Sequence, residues 1–177
     1  GEMVERLLRL SRLESGRETM VEEVLQPADL LRTAVSRIEP LAESRGRRVE
    51  ATPEELPTVR GDRERVLEVL SNVLDNALRF SPDGGMVTVR ALDSGDGFVQ
   101  FEVSDDGPGI RLDERRRVFE RFYTGDQARG FGAGTGLGLS IARHIIERLG
   151  GRIWVADRSP GATLCFTLPL AGAPDGE

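Results

Sequence analysis

A stripe of polar side chains lies along one face of a predicted helix over residues 62–80. At 100° per residue the stripe is about 80° wide and lies opposite the apolar face. It consists of Glu68, Asn72, Asn76 and Arg79. Asn is a weak helix former, so two of them one turn apart are unusual on a face that only meets solvent. An Asn oxygen suits Mg²⁺, although the stripe alone also fits a solvated surface.

A second candidate is the acidic segment 105–109, which follows a predicted strand over 98–103. The carboxylate of Asp105 could accept a hydrogen bond from the exocyclic amine of adenine, whereas guanine presents an acceptor oxygen at that point. Gly107 and Gly109 would let the backbone and a ring approach closely. By itself, the segment is also typical of an ordinary turn.

A third candidate is the glycine-rich segment 132–139, which leads into a predicted helix over 137–149. Four alternating glycines expose backbone N–H groups at a helix N-terminus, a favourable place for phosphate. The segment does not match G-x-G-x-x-G, because position 139 is Leu. A flexible linker is the alternative, although interspersed leucines disfavour it. Together, the three segments predict a nucleotide site.

The composition excludes several other kinds of site. All 24 basic residues among the 177 are arginine, so a phosphate loop with its Lys, a Schiff base and a lysine nucleophile are excluded. The formal net charge of -6 argues against a nucleic-acid binder. One His and one Cys cannot supply a site built from several such ligands. The single cysteine indicates a reducing compartment, and no apolar run approaches the roughly 18 residues of a membrane span.

The elements that must position these segments have an α+β order. Helices are predicted over 2–14, 27–44, 62–80 and 137–149, with a shorter helical patch over 114–119. Strands are predicted over 20–25, 48–52, 57–60, 87–92, 98–103, 152–156 and 163–168. Asp62 is the expected N-cap of the third helix. This order predicts a two-layer α/β sandwich with helices on one face of a mixed sheet, plus a short N-terminal helix.

The first predicted helix carries Val4, Leu7, Leu8 and Ser11 on one side, a pattern typical of a helical bundle or coiled coil. A free helix of fewer than about 15 residues is marginal in water. We therefore interpret it as the end of a longer hairpin. The polar residues 171–177 are expected to form a disordered tail.

Five segments occur in a fixed order along nearly the whole chain. They are 10–16 (LSRLESG), 72–82 (NVLDNALRFSP), 105–109 (DDGPG), 119–123 (FERFY) and 134–140 (GTGLGLS). In this order they resemble the end of the dimerisation and phosphoacceptor hairpin, the N box, the first glycine box, the F box and the second glycine box of sensor histidine kinases. Five motifs at ordinary spacing make the resemblance to these two-component proteins specific.

The resemblance implies the Bergerat ATP-binding fold, shared with gyrase, heat-shock chaperone and mismatch-repair ATPases. It implies that Asn76, with Asn72 nearby, holds the Mg²⁺ that bridges the ATP phosphates, and that Arg79 points toward those phosphates. It also implies that Asp105 contacts the adenine amine. The other implied ATP-binding residues are Gly107, Gly109, Ile110, Arg121, Tyr123, Gly134, Thr135, Gly136, Leu137 and Gly138. Residues 110–135 would form the mobile ATP lid.

The chain departs from the family pattern at three places. Asp106 stands where an Asn is usual, which adds negative charge near the pocket. Thr124 follows the F box where an Arg is common, and Arg121 or Arg129 would have to supply the missing phosphate contact. The segment 161–163 is a loose version of the last glycine motif, and no site role is assigned to it.

The resemblance also implies a phosphoacceptor histidine on the first helix of the hairpin, which this chain does not contain. The single histidine, His144, is expected to be structural or exposed. We therefore expect three parts: 1–16 as the end of the hairpin, 17–170 as the catalytic ATP-binding domain, and 171–177 as the tail. The implied reaction moves the γ-phosphoryl of Mg-ATP to that histidine, for relay to an aspartate of a response regulator.

The implied partners are the protein's own histidine-containing hairpin and a receiver domain, within a full-length homodimer. No nucleic acid is expected. A membrane would be reached only through parts outside this chain, which would be the cytoplasmic domain of a bacterial kinase anchored in the inner membrane.

Three alternatives use the same fold or site. An ATP-hydrolysing switch would need a Glu four residues before the Mg²⁺-binding Asn, but that position is Asn72, and Glu68 lies a further turn back. A serine kinase of the same superfamily would not be expected to carry the hairpin segment and the F box. A nucleotide-binding scaffold without catalysis is the third.

Overall fold

A mixed sheet with helices packed on one face dominates the computed structural model, which describes residues 1–125 and 135–172. The helices are α1 (Glu2–Glu14), α2 (Pro27–Ser44), α3 (Arg63–Phe80) and α4 (Gly138–Arg148). The strands are β1 (Glu23–Leu25), β2 (Arg48–Thr52), β3 (Val59–Gly61), β4 (Met86–Asp93), β5 (Phe98–Asp105), β6 (Ile153–Val155) and β7 (Ala162–Pro169). Five of these described strands form the main sheet in the order β2-β4-β5-β7-β6.

The sheet is mixed because β2 pairs in parallel with β4, while the other pairs are antiparallel. Alternate residues of β4 are buried, as the period of two predicts, and β5 follows this pattern in part. In β7 the residues of both faces are buried from Ala162 to Leu168. At the centre, Phe101 of β5 lies opposite Phe166 of β7, and their rings stack with centroids 4.8 Å apart. The core therefore lies between this sheet face and α2, α3 and α4.

Helix α3 has the predicted start, end and apolar face. The Asp62 carboxylate caps it, since its Oδ1 accepts a hydrogen bond from the Arg65 backbone N–H at 3.2 Å. The apolar residues of the helix are buried against the sheet and the neighbouring helices: Val66, Leu67, Val69, Leu70, Val73, Leu74, Ala77 and Leu78. The polar stripe opposite is thereby held at the edge of the sandwich.

Two predicted elements differ from the structure. The strand predicted over 20–25 is reduced to β1, which pairs with β3 in a separate two-stranded sheet. The strand is shorter because the Val21 N–H donates to the Asp62 side chain, at 2.9 Å from Oδ2, and not to a carbonyl of a neighbouring strand. The helical patch predicted over 114–119 is instead two short 3₁₀ turns, Leu112–Glu114 and Arg117–Phe119. Only Phe119 is buried there, so no continuous apolar face supports an α-helix.

Helix α1 packs on the domain through a face that the sequence pattern did not indicate. Leu10 and Leu13 are buried and lie toward α4. The face with the bundle pattern is mostly open, with Val4 58% and Leu8 55% exposed, and of its leucines Leu7 is half-buried against the core. Within residues 1–125 and 135–172, no helix combines the length and the apolar character needed to cross a membrane.

The cap of α3 gives a test of this architecture. Replacing Asp62 with Ala removes acceptors for two backbone N–H groups, so we expect unfolding to become easier by about 2 kcal/mol. Urea denaturation measures this as a lower midpoint at unchanged slope. Asp62→Asn is the comparison variant: its one acceptor oxygen can still cap the Arg65 N–H, while the acceptor of the Val21 N–H is lost, so we expect a smaller loss than in Asp62→Ala. Equal losses in the two variants would contradict the capping role.

Candidate functional site

A single pocket gathers most of the predicted site residues. It opens between α3, the end of β5, the segment after β5 and the start of α4. The predicted residues that line it are Asn72, Asn76, Arg79, Asp105, Gly109, Ile110, Tyr123, Thr135, Gly136 and Gly138. Gly134 and Arg129 lie outside the described residues.

One end of the pocket is formed by the buried carboxylate of Asp105, at the last position of β5. Its Oδ1 accepts hydrogen bonds from the backbone N–H groups of Gly107 at 2.8 Å and Ala162 at 3.4 Å. Burial raises the pKa of Asp105, and the negative charge of Asp106 acts in the same direction, against the two hydrogen bonds. With Oδ1 occupied, Oδ2 is the oxygen that can receive a donor from a bound molecule.

Two glycines bring the backbone close around this carboxylate. A Cβ on Gly107 would lie 2.5 Å from the carbonyl oxygen of Phe80, the last residue of α3. A Cβ on Gly161 would lie 2.0 Å from the carbonyl oxygen of Asp105, and Gly161 also has a positive φ of 76°. Gly107 therefore shapes the pocket from outside its lining. The loose 161–163 motif, to which no site role was assigned, supplies a backbone donor to Asp105, and Ala162 lines the pocket.

The other end of the pocket is formed by the polar stripe of α3 and the first turn of α4. The side chains of Asn72 and Asn76 are half-buried, and neither has a hydrogen-bond partner within the described part of the chain. Gly138 begins α4, and a Cβ added there would lie 3.6 Å from Asn72 Oδ1. The first-turn N–H groups of α4 have no acceptor within their own helix. Two amide oxygens and a helix N-terminus therefore converge, which suits a phosphate chain with Mg²⁺.

Arg79 is held at the pocket wall by an ionic bridge. Its Nη2 lies 3.0 Å from Asp75 Oδ2, and Arg45 Nη1 lies 3.2 Å from Asp75 Oδ1. Asp75 also lines the pocket, so Arg79 brings positive charge there that Asp75 partly balances.

Glu68 does not join the pocket, although it begins the polar stripe of α3. Its Oε2 lies 2.5 Å from Arg9 Nη2 of α1 and 3.1 Å from Arg65 Nη1. Both ion pairs direct this carboxylate toward α1 and the start of α3, so it is not placed to activate a water molecule in the pocket. The stripe therefore divides, with Glu68 directed to α1 and the rest to the pocket.

Three predicted ATP-binding residues lie outside the pocket lining. Arg121 is half-exposed and pairs with Glu14 of α1. Leu137 is fully buried in the core, and only its backbone N–H, which donates to Thr135 Oγ1 at 3.3 Å, is near the site. Gly107 acts through the close approach described above.

Several pocket residues were not found from the sequence. Glu114 accepts a hydrogen bond from the Tyr123 hydroxyl at 2.6 Å, and both line the wall. Thr124 lines the pocket where relatives were expected to place an Arg. Arg6 of α1 also reaches the lining. No local sequence signal could reveal Arg6, because its contact with the site depends on how α1 docks.

Comparison with protein families identifies the fold. The model of the family described as histidine kinase-, DNA gyrase B-, and HSP90-like ATPase matches residues 61–172. The chain belongs to this family. The match extends from just before α3 to just after β7, and it contains every described lining residue of the pocket except Arg6 of α1.

Relatives of this ATPase domain are sensor kinases. The adaptive-response sensory kinase SasA of Trichormus variabilis is 43% identical over 122 residues, which cover 67% of this chain and 29% of the relative. Full-length ShkA in complex with AMPPNP superposes with a TM-score of 0.83 at 30% identity, over 97% of this chain and 36% of that one. The mycobacterial sensor histidine kinase MprB superposes with a TM-score of 0.71 at 31% identity, over 85% of this chain and 98% of that one.

These matches confirm the predicted fold class and the assignment to the ATP-binding domain of a sensor histidine kinase. The chain spans less than a third of the length of SasA.

The raised pKa of Asp105 makes a prediction about stability and pH. The folded state favours the protonated carboxyl of Asp105. Above the raised pKa of the folded state, the ionised carboxylate therefore lowers the free energy of unfolding. Below the pKa that Asp105 has in the unfolded chain, the carboxyl is protonated in both states and this cost is absent. Asp105→Asn imitates the protonated form, so its stability relative to the unchanged protein should increase from about pH 4 to about pH 7. Urea denaturation at both pH values measures this difference.

Asp83→Asn is the control for that titration, since the Asp83 side chain is 99% exposed. Its stability difference should change less between the two pH values than that of Asp105→Asn, because no burial acts on this side chain. If the stability of Asp105→Asn relative to the unchanged protein decreased toward neutral pH, the buried charge of Asp105 would not be destabilising, and the prediction would be wrong.

Proposed function

We propose that this domain binds Mg-ATP and transfers its γ-phosphoryl group to a histidine on a separate helical hairpin. The observation that carries the proposal is the arrangement of one pocket. A buried carboxylate at one end suits the amine of adenine. At the other end, the α4 N-terminus and two Asn side chains that bind no other described residue suit Mg²⁺ and phosphates.

At the adenine end, Asp105 Oδ2 accepts the hydrogen bond of the exocyclic amine. The two backbone donors on Oδ1 hold the carboxylate in place, so the acceptor is oriented before the base arrives. A guanine oxygen at the same position would leave two acceptors facing each other, which excludes that base. Gly109 and Ile110 provide the wall of the base pocket.

At the phosphate end, Asn76 would hold the metal ion with Asn72 beside it, and Mg²⁺ would supply neutralising charge to the phosphates. Gly136 and Gly138 leave the backbone at the start of α4 open to phosphate oxygens. Arg79 adds a cation at the same wall. These groups position and neutralise the triphosphate, which is the main requirement of phosphoryl transfer.

The geometry favours transfer to histidine over hydrolysis. A neutral imidazole is already a nucleophile, so no base is needed to activate it. Hydrolysis would need a carboxylate to activate water, but Asn72 occupies the position for it and Glu68 is paired with two arginines away from the pocket. The sensor-kinase relatives support the same choice.

The remaining parts of the proposal concern the whole protein. Residues 1–16 are the end of the hairpin helix, 17–170 form the catalytic domain and 171–177 form a tail, of which 173–177 lie outside the described residues. The phosphoryl group then passes to a receiver domain of a response regulator. We place the domain in the cytoplasm, within a homodimer anchored to the bacterial inner membrane by other parts of the protein.

Loss of the Asn76 amide should weaken nucleotide binding. We expect Asn76→Ala to lower the affinity for Mg-ATP at least about tenfold, because a metal ligand is removed. Removal of Mg²⁺ with a chelator should weaken binding to the unchanged protein but have little further effect on the variant. Isothermal calorimetry measures both, with Ser71→Ala, exposed on the same helix, as the control. An Asn76→Ala variant with full, Mg²⁺-dependent affinity would contradict the role of Asn76.

The Asp105 contact should make the pocket selective for adenine. We expect ADP to bind at least about 100-fold more tightly than GDP, since guanine leaves the buried carboxylate unsatisfied. Competition against a fluorescent ATP analogue measures the ratio. Similar affinities for ADP and GDP would show that Asp105 does not read the base.

The catalytic step is tested by incubation with γ-labelled ATP and hairpin fragments that contain candidate histidines. We expect label on a hairpin histidine and none on His144. Tight ATP binding without transfer to any hairpin would favour a nucleotide-binding scaffold. Rapid ATP turnover by the domain alone would favour an ATP-hydrolysing switch. Label on a serine of an added protein would favour a serine kinase.

A further inference from the structure

We infer that Arg6 of the N-terminal helix contributes to the phosphate end of the nucleotide pocket, so that bound triphosphate ties α1 to the catalytic domain. This inference rests on the proposed function, because it assumes that nucleotide phosphates occupy the α4 end. It goes further by assigning part of the phosphate site to a helix that belongs to the proposed hairpin.

The first observation is the position of Arg6. Its guanidinium lines the same pocket as Asn72 and Gly138, and its Nη1 lies 3.5 Å from Thr135 Oγ1. Thr135 in turn accepts the backbone N–H of Leu137, the residue that precedes α4. Arg6 therefore stands at the end of the pocket where the α4 N-terminus favours anions.

The second observation is that Arg6 can be released easily to a new partner. Its Nη2 pairs with Glu2 Oε1 at 2.8 Å, one turn earlier on the same helix, and the Glu2 side chain is 74% exposed. Exposed pairs of this kind contribute little to stability. Arg79, the other described cation of the lining, is held by Asp75, which also binds Arg45. A phosphate oxygen would therefore draw Arg6 from Glu2 at small cost and bind it through a charge-assisted hydrogen bond.

The third observation is that α1 is docked in a way that aims Arg6 at the pocket. Leu10 and Leu13 follow Arg6 by four and seven residues, so all three share one face of the helix. Both leucines are buried. Arg9 of the same helix pairs with Glu68 of α3 and Glu18, which fixes the helix beside the polar stripe. Arg6 is thus presented to the phosphate end by a packed element.

Coupling follows from this arrangement. If the triphosphate gains a contact from Arg6 only when α1 is docked, then bound ATP must favour the docked helix to the same extent. Adenosine, which lacks phosphates, cannot do so. The nucleotide state of the domain would therefore be transmitted to the position of the hairpin.

The test compares Arg6→Gln with the unchanged protein, using ATP and adenosine as the two ligands in calorimetry. We expect the affinity for Mg-ATP to fall by about tenfold, the loss of one charge-assisted hydrogen bond at a partly exposed site, while the affinity for adenosine stays the same. Arg12→Gln, which removes an exposed arginine from the same helix, should change neither affinity. Glu2→Gln should leave ATP binding intact or strengthen it, because it frees Arg6.

A second measurement reads the docking directly. Hydrogen exchange of the α1 backbone amides should slow when ATP is added to the unchanged protein, and should slow much less with adenosine or in Arg6→Gln. Unchanged ATP affinity in Arg6→Gln, or equal losses for ATP and adenosine, would overturn the inference. An unchanged protein that binds neither ATP nor adenosine would overturn the proposed function itself, and this inference with it.

Discussion

The pocket depends on two contacts between backbone segments that are too close for any side chain between them. Gly107 brings the segment after β5 against the last carbonyl of α3, and Gly161 brings the turn before β7 against the carbonyl of Asp105. These contacts join α3, β5 and β7 at one corner of the sandwich. Asp105 is buried at that corner, with its Oδ1 taken by two backbone donors. The proposed adenine acceptor is therefore fixed by the fold, and it costs stability because burial disfavours its charged form.

Helix α3 connects that corner to the phosphate end. Its apolar face forms part of the core, and its C-terminal carbonyl meets Gly107. Its polar stripe serves two purposes, since Asn72, Asn76 and Arg79 face the pocket while Glu68 binds α1. One helix thus sets the distance between Asp105 and the two asparagines proposed to hold the metal ion. The same helix also places α1, so the position of Arg6 depends on the element that carries those asparagines.

Much of this could be predicted from the sequence because the signals are local. The bounds of α2, α3 and β2, and the cap at Asp62, follow from periodicity and capping chemistry. The glycine boxes and the asparagine pair indicated a nucleotide site before any fold was known. The loss of the strand at Val21 could not be predicted, because a side chain distant in sequence takes its N–H. The contact of Arg6 with the pocket and the role of Gly161 could not be predicted either, because both depend on how segments distant in sequence meet. Glu114 lies in a charged segment with weak periodicity, where no pattern marks the side that faces a pocket.

The central claim is that one pocket holds adenine at Asp105 and Mg²⁺-bound phosphates at Asn76. A crystal structure of this chain with Mg²⁺ and a non-hydrolysable ATP analogue would test it most directly. The account predicts the adenine amine within hydrogen-bond distance of Asp105 Oδ2, and the metal ion bound by the Asn76 side-chain oxygen at about 2.1 Å. An analogue with its base away from Asp105, or a metal ion held without Asn76, would contradict the account.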